Sequence, residues 1–176
     1  MEPPRGGRQA ALRRVGALIF VTVGGQKAFD RLVTCIDEWA TERALPSDAV
    51  FAQIGRTDAV PRHIESAPTL EPAAYREIFG RADVVLGHAG MGTILTALDL
   101  GKPLLVMPRE AARGEHRNDH QLATARQLET LIGLQVAWGE KELRQWLERL
   151  SEVRTPTHSG KSADRLASYL KAFMER

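Results

Sequence analysis

From Ala17 onward the sequence alternates short runs rich in β-branched residues with stretches of helical period, and that alternation leaves few architectures open. The runs are Ala17 to Val23, Ala49 to Ile54, Asp83 to Gly87, Leu104 to Met107 and Leu134 to Ala137. Phe29, Leu32, Val33, Ile36 and Ala40 share one helical stripe, as do Leu122, Ala125, Leu128 and Leu131. Leu143, Trp146, Leu147 and Leu150 repeat the pattern, followed by Ala163, Leu166, Ala167, Leu170, Phe173 and Met174. Strands that are apolar throughout are those buried on both faces. The pattern therefore predicts an α/β fold, a doubly wound, mostly parallel sheet with helices on both sides. Cys35, Trp39 and Trp146 read as packing residues of those stripes. A further short strand is expected around His63 to Glu65.

At 176 residues with 43% hydrophobic side chains, the chain suffices for one continuous core. It divides into a tail, residues 1–16, and a domain, residues 17–176. The tail sets Arg5, Arg8, Arg13 and Arg14 against Glu2 and is broken by Pro3, Pro4, Gly6 and Gly7, so basic disorder is expected. Arg13-Arg14 before an apolar stretch imitates a twin-arginine export signal, but cleavage after Val23 would delete the first core strand. A basic tail also suits attraction to anionic lipid headgroups. Overall, 24 Lys and Arg against 22 Asp and Glu give +2, with no strong field to steer nucleic acid, and no nucleic-acid partner is expected. No apolar run approaches the roughly 20 residues of a spanning helix. The lone Cys35 provides neither an internal disulfide nor a thiolate metal site, which points to a reducing compartment.

In an open parallel sheet, ligands bind beyond the carboxyl ends of the strands, so the residues just after each run are the candidates. The first place is Gly24-Gly25-Gln26-Lys27, where two glycines permit a sharp turn or a close approach. The second is Gly87-His88-Ala89-Gly90-Met91-Gly92-Thr93, opening a helix that stops at Gly101-Lys102-Pro103. Its G-x-x-G-x-G spacing is neither the dinucleotide fingerprint nor the Walker loop. A strand, a glycine turn and a helix start still form an anion cradle, because free N–H groups and the helix dipole favour phosphate. The same residues also suit a helix packed tightly on the sheet and capped by Thr93. His88 sits at the strand tip, where a ligand role competes with simple burial.

The third place follows Pro108: Arg109 and Glu110, then Gly114 to Gln121, too polar to be core. Asn118 or Asp119 suits the cap of the next helix. His116 and His120 have a metal-ligand spacing without a third ligand, so no metal is expected. A rim of hydrogen-bonding groups for sugar hydroxyls suits the segment better, with the Arg109 fork available to a diphosphate. No nucleophile constellation is present in the sequence, which disfavours covalent hydrolase chemistry.

Three linked blocks carry a resemblance. Ile19-Phe20-Val21-Thr22-Val23-Gly24 with Phe29-Asp30-Arg31-Leu32-Val33, then His88-Ala89-Gly90-Met91-Gly92-Thr93-Ile94 with Gly101-Lys102-Pro103-Leu104, then Asn118-Asp119-His120-Gln121, resemble the C-terminal domain of glycosyltransferase family 28. The likeness runs from about Ala17 to Leu131. Within the family it is nearest to single-domain bacterial proteins of exopolysaccharide synthesis, and similar to the catalytic subunit of the two-part eukaryotic enzyme acting on a dolichol-linked sugar.

The resemblance implies a Rossmann-like domain equivalent to the C-terminal half of a GT-B glycosyltransferase. It implies a UDP-sugar as substrate, with no cofactor. In the family's pattern Gly90, Gly92 and Thr93 face the diphosphate, while Asp119 and Gln121 face the donor sugar. Relatives carry a ribose-binding glutamate one turn into the glycine-led helix; here Thr96 stands there, and one hydroxyl cannot accept from two ribose hydroxyls as a carboxylate does. The resemblance further implies a membrane-anchored partner holding a lipid-linked sugar acceptor, and a peripheral location at the cytoplasmic membrane face. His88 and Glu115 are the candidate bases in this chain. The expected function is the donor-binding catalytic subunit of an inverting glycosyltransferase in polysaccharide or glycolipid synthesis. The alternatives are a non-catalytic sugar-nucleotide-binding subunit and a self-sufficient sugar-nucleotide hydrolase or epimerase.

Overall fold

In the computed structural model, residues 17–25, 27–157 and 161–175 are described, so the expected tail at residues 1–16 and Gln26 lie outside them. The strands are β1 (Ile19–Thr22), β2 (Val50–Gln53), β3 (Glu65–Ala67), β4 (Val84–His88), β5 (Leu104–Met107) and β6 (Gln135–Val136). The helices are α1 (Asp30–Glu42), α2 (Pro72–Arg81), α3 (Met91–Leu100), α4 (His120–Ile132), α5 (Glu140–Leu147) and α6 (Lys161–Met174). All neighbouring strands pair in parallel in the order β3-β2-β1-β4-β5-β6. The doubly wound parallel sheet expected from the apolar runs is thus the fold found.

Two separate clusters fill the two faces. On one, α1 and α5 bring Leu32, Ile36, Trp39, Leu143 and Leu147 onto Val21, Leu86 and Leu105. On the other, Phe79, Ile94, Leu128 and Leu166 pack with Phe20, Val85 and Val106. Successive residues of the central strands thus point into opposite apolar layers, which is why β1 and β5 are buried at every position, while the edge strand β3, Glu-Ser-Ala, is not. Cys35 and Trp39 are buried, and Trp146 packs partly against the same cluster. Helix α2, which the sequence periodicity did not single out, presents one fully buried side chain, Phe79; Phe79 and Tyr75 both meet the Phe20 ring edge-on, which makes α2 a cover for β1.

Two boundaries depart from expectation for local reasons. Phe29 is not part of the α1 stripe but precedes the helix with φ −137°. The strand expected at His63 to Glu65 begins at Glu65, because the N–H groups of Arg62, His63 and Ile64 all donate to the Asp37 carboxylate at 3.0 Å. That carboxylate pins the β2–β3 connection to α1.

Burial pushes the Asp37 carboxyl up, and the three N–H donors more than reverse it, leaving its pKa below the ordinary value. A depressed carboxyl contributes stability that is present above its ordinary pKa and lost as pH falls through the folded value. Asp37→Ala is expected to cost about 2 kcal/mol at pH 7. The difference from wild type should shrink toward pH 3, as read by urea unfolding at both pH values.

Candidate functional site

The strand order reverses between β1 and β4, so the connections leaving their carboxyl ends diverge to opposite faces and open a crevice. A cleft there is lined by Val23, Gly24, Gly25 and Lys27 after β1, His88 at the tip of β4, and Arg109, His116, Arg117 and Gln121 after β5. Its volume is about 160 Å³, against roughly 300 Å³ or more for a complete ligand pocket. It has the size of one wall of a site.

The His88 imidazole is wedged between the two glycine turns. A Cβ on Gly90 would overlap its Nε2, and one on Gly24 would stand 2.8 Å from it; Gly24 also has φ +78°. Only glycine fits at either position without moving the ring. His88 Nδ1 is buried without a hydrogen-bond partner among the described residues. Burial first, and then the positive charge of Arg109, push its pKa down to about 4. At neutral pH it is an uncharged ring and a weak base.

Helix α3 starts at Met91 with Gly90 as its N-cap, so the free first-turn N–H groups lie just beyond His88, with no acidic residue in that turn. Thr93 does not cap the helix as the sequence suggested: it lies one turn position deeper, 3% exposed, with its methyl packed toward Gly87. The Thr96 hydroxyl donates to the Gly92 carbonyl at 2.7 Å, which leaves only its lone pairs for another group.

Two expectations from the third segment are corrected. The Arg109 fork is not free for a diphosphate: it is 3% exposed and donates from Nη2 to the carbonyls of Val23 (2.7 Å) and Lys27 (2.6 Å), and from Nη1 to those of Ala28 and Glu115. Glu115 is not free to act as a base, because its carboxylate takes the Arg31 guanidinium on both oxygens, at 2.7 and 2.9 Å, and the Glu110 N–H at 2.9 Å. These bonds join the loop after β5 to the loop after β1 through Arg109 and to the first turn of α1 through Arg31.

Of the site residues read from sequence, Gly24, Gly25, His88, Arg109 and Gln121 line the cleft, while Gly90, Gly92, Thr93, Asn118 and Asp119 are not part of its lining. Gln121 accepts the Arg109 N–H at 3.1 Å through its carbonyl oxygen, so its amide nitrogen remains for a ligand. The Asp119 carboxylate accepts from the Ala111 N–H instead of capping α4, and the Asn118 oxygen accepts from the His120 N–H. Sequence reasoning missed Lys27, His116 and Arg117 as lining residues. Each lies inside a segment it did single out, but nothing local tells which side chains of a polar loop turn inward. Among the described residues no group of His, Cys, Asp and Glu is placed to hold a metal ion.

Residues 18–171 match the model of the glycosyltransferase family 28 C-terminal domain. A human protein, UDP-N-acetylglucosamine transferase subunit ALG13, is 36% identical over 118 residues, covering 62% of this chain and 10% of that protein. The chain thus spans about a tenth of that relative's length. An NMR solution structure of ALG13 superposes with a TM-score of 0.56 at 19% identity, covering 85% of this chain and 94% of that one. The calicheamicin glycosyltransferase CalG4 does so at 0.55 and 17%, covering 86% of this chain and 37% of that one. At such identities the likeness is one of fold, here the C-terminal half of GT-B glycosyltransferases.

Two outcomes follow from the wedge around His88. Gly90→Ala should destabilise by about 2 kcal/mol or more, since ring or turn must move. Gly25→Ala, whose Cβ would meet nothing within 4 Å, should stay near wild type in the same thermal melts. A folded pKa lowered from 6.5 to about 4 makes the stabilising contribution complete above pH 6.5 and lost as pH falls toward 4. Between pH 7.5 and 4.5 the wild type should lose about 2.5 kcal/mol more than His88→Gln in urea unfolding. Parallel pH curves would mean that the ring is not held neutral by the fold.

Proposed function

This chain belongs to the glycosyltransferase family 28 C-terminal domain family, and on that premise we propose that it is the donor-binding, catalytic half of an inverting, UDP-sugar-dependent glycosyltransferase. The observation that carries the reading is the one-walled cleft at the switch point of the sheet, where Lys27, Arg117, Gln121 and the neutral His88 converge. The human relative is named a UDP-N-acetylglucosamine transferase subunit, and the proposal extends that donor class to this chain. The UDP-sugar is a substrate, and the reaction as proposed uses no cofactor.

In this reading the acceptor hydroxyl attacks the anomeric carbon, the bond from that carbon to the diphosphate oxygen breaks, and UDP departs with the electron pair. The negative charge growing on the diphosphate meets the first-turn N–H groups of α3 and the cations of Lys27 and Arg117. The Gln121 amide donates to a sugar hydroxyl. The hydroxyl proton needs a base, and neither candidate in this chain suits: His88 holds a proton only near pH 4, and Glu115 is committed to Arg31. We assign the base, with the acceptor site, to a separate partner subunit. A membrane-anchored partner, a lipid-linked sugar acceptor and a peripheral position at the cytoplasmic membrane face complete the proposal, which places the chain in polysaccharide or glycolipid synthesis. A cleft of one wall favours this reading over a self-sufficient hydrolase or epimerase. Turnover with the partner separates it from a non-catalytic binding subunit.

UDP at tenfold its Kd contributes about 1.4 kcal/mol and should raise Tm by about 3 to 5 °C, while ATP and NAD leave it unchanged. The double variant Lys27→Ala, Arg117→Ala should abolish the shift. No shift at millimolar UDP would remove the donor-binding reading.

A further inference from the structure

We propose that Arg109 is a positioning residue: from beneath the cleft its guanidinium fixes the β1–α1 loop against the His88 ring, and it makes no contact with the substrate itself. The geometry is that of a staple. All four Nη protons are taken by backbone carbonyls, and three of those carbonyls, at Val23, Lys27 and Ala28, belong to the one loop that carries Gly24 and Gly25. A guanidinium is planar, so satisfying four acceptors at once specifies where those carbonyls stand. The Phe29 ring stands 4.9 Å from it and also receives Arg31, at 5.3 Å.

The burial of this cation is otherwise hard to account for. Among the described residues Arg109 has no ion-pair partner within 4 Å, and an unsolvated charge is costly; here the carbonyl dipoles replace water. With its carbonyls turned to Arg109, the loop has N–H groups left to offer. The peptide units whose carbonyls turn to Arg109 carry the N–H groups of Gly24, Ala28 and Phe29; the first donates to the Thr22 hydroxyl, and the other two have no partner among the described residues. A run of such groups beside Lys27 is an anion-facing surface only while the carbonyls stay turned away. Arg109 would thus act on a ligand through the loop. The charged and titratable groups that share the cleft with His88 are Arg109, Lys27, His116 and Arg117, and Arg109 is the one whose charge acts most on it.

The consequence for UDP rests on the function proposed above; the consequence for the loop does not. The test uses the isotope-labelled full chain, its Arg109→Lys and Arg109→Gln variants, and UDP as the probe. In the wild type the Arg109 Nη protons should be individually resolved, protected from exchange and unmoved by saturating UDP, while the amides of Ala28 and Phe29 shift. Lysine keeps the charge but loses the fork. In Arg109→Lys, at a temperature where it is folded, those amides should lie at shifted or broadened positions before any UDP is added and UDP should bind at least tenfold more weakly, with His88 still titrating near 4. In Arg109→Gln the His88 pKa should move back toward 6.5. Guanidinium signals that shift on UDP addition like a contact residue, or an Arg109→Lys protein that binds UDP as tightly as wild type, would overturn the assignment. Should both variants fail to fold, the guanidinium spectra of the wild type decide alone. If the wild type binds no UDP, the proposed function falls, and the protection of the Nη protons together with the loop amide positions in Arg109→Lys still tests the staple.

Discussion

A parallel sheet cannot close its own backbone with hairpins. Every neighbouring pair of strands here needs a crossover, and the crossovers cover both faces with helices. Most of the structure depends on that constraint. It demands two cores instead of one, and it buries the central strands, Ile19–Thr22 and Leu104–Met107, on successive residues. It also demands a place where the winding changes hand of approach, between β1 and β4, and the cleft lies there because no crossover covers it.

Within the cleft, shape and charge are set by one buried cation and one buried ring. Arg109 gathers the carbonyls of the loop after β1, and His88 fills the space that two glycines leave. The pair are coupled electrostatically, since the guanidinium adds to burial in keeping the imidazole uncharged. A neutral ring beside a fixed cation leaves the cleft with one buried positive charge and an uncharged hydrogen-bonding ring. The opposing ion pair of Arg31 with Glu115 braces the same two loops from the helix side.

The family to which the chain belongs and the shape of its cleft lead to one picture. The positive groups face a cleft too small to enclose a ligand, so a second surface is needed to finish it. A polypeptide that supplies the opposing wall, the acceptor and a base accounts for the lack of a competent base among the candidates in this chain. On the function proposed above, donor recognition falls to this chain and acceptor choice to its partner.

Much of this was legible in order along the chain. The five apolar runs became five of the six strands, Gly24, His88 and Gln121 do line the cleft, and the three linked blocks marked the family. What was not legible depended on partners distant in sequence. Arg109 reads as a free phosphate ligand until the carbonyls of Val23, Lys27 and Ala28 are seen to surround it, 81 to 86 positions earlier. Glu115 reads as a base until Arg31, 84 positions away, is found on it. Helix α2 escaped notice because a single buried Phe79 leaves little periodicity to read. The sequence by itself determined the layers, the parallel winding and the glycine turns, because local pattern and backbone sterics suffice for those. Which polar side chains are spent on the fold and which remain for a ligand was decided by tertiary structure alone, because hydrogen-bond partners are allotted only when distant loops meet.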